Sequence, residues 1–117
     1  MSARHALVLL LALSAFAAAC GEPSKPIAPG QKLFFEQGCV ACHGSRGEGT
    51  FMGPPLRALA QHWTRERIAA YLLDPPATVA ADERLHRMSL GFRTPMKAIS
   101  AGAAERLLLA DHVLGFN

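Results

Sequence analysis

Residues 38 to 44 read Gly-Cys-Val-Ala-Cys-His-Gly, and no other stretch restricts this chain as tightly. Cys39 and Cys42 lie about one helical turn apart, so a helix brings both thiols to the same side. His43 follows the second thiol at once. Three chemistries use such a cluster: a redox dithiol, a zinc site and covalent attachment of haem. A redox dithiol needs a preceding strand and a βαβ setting. No stretch here shows a convincing strand alternation. Zinc commonly takes four ligands as two spaced pairs, and no second Cys or His pair follows at matching spacing.

Cys-x-x-Cys-His is the attachment signature of c-type haem. Each thiol adds across a vinyl group to form a thioether, and the next residue is carried under the ring, where its imidazole reaches the iron. Cys39 and Cys42 are then the attachment points, His43 is the iron ligand, and one covalent haem c is the cofactor. Consuming the thiols also removes an oxidation hazard.

The compartment fits this reading. Residues 1–19 have a basic start at Arg4 and an apolar run from Ala6 to Ala19 broken only by Ser14. That run is too short to span a bilayer and ends in small residues, as an export signal does. Cys20 follows Ala17-Ala18-Ala19 and resembles the lipidated cysteine of a bacterial lipobox, although Ala17 stands where Leu is usual. A lipid anchor on Cys20 ties the chain to a membrane. Gly21 is not the aspartate that retains lipoproteins at the inner membrane, which favours the outer one. Residues 20–29, rich in Pro, Gly and polar side chains, read as a flexible tether, and residues 30–117 as the domain. Of 117 residues, about 98 survive cleavage, enough for one small domain whose core gains from a large cofactor. The net charge of +3 comes from scattered Lys and Arg, so no nucleic-acid footprint is visible.

Three helices are expected. The first runs from Pro29 to Val40, with Leu33, Phe34 and Gly38 near one face. The second starts at the N-cap Thr64, is stapled by Trp63 and Ile68, and stops at Asp74-Pro75-Pro76. The third runs from an N-cap at Ser100 to Leu114, with Ala103, Leu107, Ala110 and Leu114 as its apolar stripe. The long connection between the last two holds one short helical turn, Ala81 to Arg87.

The chain resembles the small single-haem class I cytochromes c. Gly30-x-x-Leu33-Phe34-x-x-x-Gly38-Cys39-x-x-Cys42-His43-Gly44 is similar to that family's opening helix, and Gly53-Pro54-Pro55-Leu56 to its GP-x-L segment. The resemblance implies an all-α class I cytochrome c fold wrapped around the haem. It implies that the Pro54 carbonyl accepts from the free nitrogen of His43, and that Trp63 lies near a propionate. The glycine and aromatic of the first helix pack on the last helix, where Phe116 is the candidate for a missing aromatic. It places the sixth ligand at Met96, with Met88 as the alternative and His86 a remote third. Met52, His62 and His112 are read as bystanders, the two histidines capping or facing solvent. Arg57, Arg87 and Arg93 are candidate propionate partners. The function implied is single-electron transfer between redox protein partners on the periplasmic side of a membrane, not catalysis. Two alternatives stay open: a haem subunit of a larger oxidoreductase complex, and a five-coordinate haem protein that binds a small ligand.

Overall fold

Gly30 decides how the chain closes on itself. A Cβ there would collide with the Leu108 carbonyl oxygen and lie 2.8 Å from the His112 Cβ. Only glycine lets the first and last helices cross this closely. In the computed structural model the first helix, α1, spans Pro29–Glu36, with Pro29 at its first turn, where a missing N–H costs nothing. The structure describes Gly21 and residues 23–117. The expected leader, 1–19, and the expected lipidation site Cys20 lie outside the described residues.

The expected single helix from Pro29 to Val40 is two. Gly38 adopts φ +75° and turns the chain, a conformation that side-chain-bearing residues rarely adopt. Helix α2, Cys39–His43, then starts in a new direction. A loop follows and folds back on α2: Gly49 N–H donates to the His43 carbonyl (2.8 Å), and Thr50 Oγ1 to the Cys42 carbonyl (2.7 Å). A 3-10 turn at Leu59–Gln61 leads to α3, Arg65–Leu73, which is capped by Thr64 as expected, its Oγ1 accepting from Arg67 N–H at 3.2 Å.

The long connection is largely helical rather than holding one turn. Asp74 ends α3 and caps α4, Pro75–Ala81, by accepting from Ala77 N–H at 3.1 Å. Asp82 caps α5, Glu83–Ser89, accepting from Leu85 N–H at 3.0 Å. An irregular loop carrying Met96 then returns to α6, Ala103–Leu114. The N-cap of α6 is Gly102, not Ser100; Glu105 reaches back to accept the Gly102 N–H at 2.8 Å. The Ser100 carbonyl instead accepts from Gln37 Nε2 at 3.2 Å.

The core joins α1, α3 and α6: Phe34, Ile68, Leu72, Leu109, Ala110 and Val113. At about 1.5–3 kcal/mol per large apolar side chain, this cluster is the chief protein-only source of stability. The buried face of α6 is therefore Leu109, Ala110 and Val113. Ala103 is exposed and Leu107 half-buried, while Leu114 is half-buried against the core cluster, so the expected stripe holds at Ala110 and Leu114. Phe116 packs its ring on Phe34, with centroids 5.5 Å apart, and supplies the aromatic that α6 lacks. Among the described residues there is no strand, only an isolated bridge between Thr50 and Gly53.

Candidate functional site

Two adjoining cavities, of about 460 and 760 Å³, occupy the space between α2, α3, α5 and the Met96 loop. They fall in the size range of cofactor sites. Cys39, His43, Pro54, Met88 and Met96 line both, and Cys42 lines the larger. Trp63 and Arg84 line the smaller.

His43 is the buried polar residue at the centre, 8% exposed. Its Nδ1 lies 2.8 Å from the Pro54 carbonyl oxygen. A carbonyl can only accept, so Nδ1 carries the proton and donates. In the neutral ring that leaves the lone pair on Nε2. The loop hydrogen bonds to the His43 and Cys42 carbonyls hold Pro54 in place for this contact. A ring fixed and made more basic in this way is what a metal-binding imidazole requires.

The other chemistries lose ground on geometry. Burial, with a smaller contribution from Cys42, pushes the Cys39 thiol up, whereas an attacking redox cysteine needs its thiolate stabilised. Among the described residues, no three His, Cys, Asp or Glu side chains gather as a metal-binding cluster, so zinc has no ligand set.

The two methionines differ in setting. Met96 is half-buried and packs against the core cluster. Its loop is pinned where Ile99 N–H donates to the Leu72 carbonyl at 3.2 Å. Met88, on α5, is 42% exposed. His86 is exposed and lines only the larger cavity, as does Met52. His62 is exposed and lines the smaller one. His112 is not a solvent-facing residue: its ring packs between Phe34 and Phe116, at 5.3 and 4.9 Å.

The cationic lining also departs from expectation. Arg57 borders the smaller cavity. Arg87 is exposed and paired with Glu83 at 3.1 Å, and Arg93 is exposed and borders neither cavity. Arg84, which sequence reasoning missed, borders the smaller cavity instead. Its spacing of four from Met88 was the available signal, because it puts both on one face of α5. Among the described residues, no Asp or Glu lines either cavity. Apolar walls, two thiols, an oriented imidazole and unopposed cations suit a flat apolar group that carries carboxylates, as haem does.

A family model described as Cytochrome c matches residues 27–115. The chain belongs to the cytochrome c family. This cytochrome is all-α, carries covalently attached c-type haem and is an electron carrier. No curated protein and no solved structure matches the chain. No described helix is long and apolar enough to cross a membrane.

Proposed function

We propose that this cytochrome is a lipid-anchored periplasmic carrier that passes single electrons between redox proteins through a His43/Met96-ligated haem. The bound haem iron supplies one-electron chemistry by cycling between ferric and ferrous states. Cys39 and Cys42 hold the group by thioethers. His43, oriented by the Pro54 carbonyl, would offer Nε2 to the iron, and Met96 would offer its thioether. A thioether ligand favours the ferrous state and raises the potential. The largely apolar walls would limit the water around the bound group. Cleavage before Cys20 and its acylation leave residues 20–29 as the tether. The domain then stays near membrane-bound donors and acceptors at a raised local concentration, with the outer membrane favoured.

The observation that carries the reading is the His43–Pro54 hydrogen bond beside both thiols, in a cavity that Met96 also lines. The absorption spectrum of the haem-loaded protein tests it. The ferric form is expected to show the weak far-red band of methionine-ligated class I cytochromes. Met96→Ala should abolish that band and open the reduced iron to carbon monoxide, while Met88→Ala should keep it. Loss of the band in Met88→Ala would transfer the ligand role to Met88. A wild type without the band that readily binds carbon monoxide would make this a five-coordinate haem protein. Cys20→Ser should release the mature chain from the membrane fraction.

A further inference from the structure

Residues 93–98, the stretch that carries Met96, lie in no helix and make no backbone hydrogen bond among the described residues. The near end of this stretch is held by Phe92 N–H, which donates to the Ser89 carbonyl at 3.1 Å. At the far end, three consecutive residues are bonded to three separate parts of the fold. Ile99 N–H donates to the Leu72 carbonyl of α3 at 3.2 Å. The Ser100 carbonyl accepts from Gln37 Nε2 at 3.2 Å, and the Ala101 carbonyl from Arg106 Nη1 of α6 at 2.7 Å. Gln37 closes α1: its own N–H donates to the Leu33 carbonyl at 2.8 Å, and Gly38 and Cys39 follow it at once. One side chain therefore ties the turn before the attachment helix to the end of the Met96 loop. The methionine cannot supply that precision itself, because its unbranched side chain adapts to many positions.

We propose that Gln37 is a positioning residue: through Ser100 it holds the loop so that Met96 stays on the haem iron, with Arg106 as a second support. This deepens the haem-carrier reading and rests on its Met96 assignment. Ordering a stretch without hydrogen bonds of its own costs conformational entropy, so residues 93–98 keep one place only while their ends are held. A hydrogen bond is worth, net, about two- to tenfold in an equilibrium. Loss of the Gln37 donor raises the fraction of molecules with the loop released by that factor, and the two remaining bonds keep the loss from being complete. An outside ligand reaches the iron only in the released state, so its apparent affinity rises in proportion to that fraction.

The test is titration of the ferric, haem-loaded chain with imidazole, together with amide hydrogen exchange at Ile99, which needs no ligand assignment. Gln37 borders the larger cavity, so Gln37→Glu is the informative variant: it keeps the shape of that wall and removes the donor. It is expected to bind imidazole about two- to tenfold more tightly than wild type and to speed exchange at Ile99. Gln37→Lys restores a donor and should return both values toward wild type. Ala110→Gly loosens α6 at a buried position that borders neither cavity, and should leave the imidazole affinity unchanged. Wild-type affinity and exchange in Gln37→Glu overturn the proposal, as does an equal rise in affinity in Ala110→Gly. If Gln37→Glu fails to mature, Gln37→Asn, shorter by one methylene, decides: tighter imidazole binding supports the assignment, and no change overturns it. A wild type without the methionine-ligated spectrum sinks the Met96 assignment, while exchange at Ile99 still reads whether Gln37 holds the loop.

Discussion

Phe34, Leu109 and Ala110, where α1 and α6 cross, are at most 1% exposed, whereas Leu90, just past α5, is 74% exposed and Phe51, in the loop after α2, 88%. The helical corner of α1, α3 and α6 packs on itself. The arm of α4, α5 and the Met96 loop contributes Leu85 and Pro75 as its buried residues and otherwise faces the cavities. The corner buries its side chains largely against one another while its inner face, including Phe34, Leu109 and Val113, borders the smaller cavity, whereas the arm leaves more of its apolar surface exposed. In a chain this small the two regions compete for the same few large apolar residues, and the corner takes most of them.

The sharpest way to break that contrast is to cut into the corner. Leu109→Ala removes a sealed side chain at the centre of the cluster and should cost about 2–5 kcal/mol in denaturant unfolding of the haem-loaded protein. Leu90→Ser, in the arm, should stay within about 0.5 kcal/mol of wild type. Equal losses at the two sites would mean that the arm is packed as firmly as the corner.

The same division explains what is legible in the sequence. The cysteine motif, the Thr64 cap and the Gly30–Phe34 pattern are local signals, and each matches a feature of the corner or its border. The register of α6 is not local. Leu107, Leu108 and Leu109 are consecutive, so periodicity alone cannot choose the inward face; the close approach of Gly30 does. In the arm, Pro75-Pro76 reads as a stop. Prolines also suit the first turn of a helix, and with Asp74 as cap they start α4. Arg84 is legible only in part: its spacing of four from Met88 puts both on one face of α5, but which face meets the cavity is not a local property.

A smaller effect probes the corner through pH. His112 has Nε2 buried without a partner among the described residues, and burial holds its pKa below the ordinary histidine value. The imidazolium is therefore disfavoured in the folded state. The stability this preserves above about pH 6.5 is lost as pH falls through the lowered value, because the unfolded chain binds the proton first. Thermal unfolding should show a decline on the acid side that His112→Phe flattens. Other groups also titrate on the acid side, so the readout is the difference between the two curves. An unchanged curve would place His112 outside the sealed corner.

The smallest expected effect sits on the seam between the regions. Ala58 lines the smaller cavity, while its N–H reaches toward the Phe116 carbonyl at 3.4 Å. It adopts φ 54° and ψ 32°, the left-handed conformation, which costs a non-glycine residue about 1–2 kcal/mol. A glycine at this position would relieve that strain but would gain freedom in the unfolded chain worth about 0.4–1 kcal/mol. The net expectation for Ala58→Gly is a gain of about 0.5 kcal/mol in denaturant unfolding, with the absorption spectrum unchanged. The strain is then a cost of joining a self-packed corner to a cavity wall. If the substitution instead weakened the fold, the Ala58 methyl would be contributing more to that wall than its backbone costs, and the cavity side would be better packed than the contrast allows.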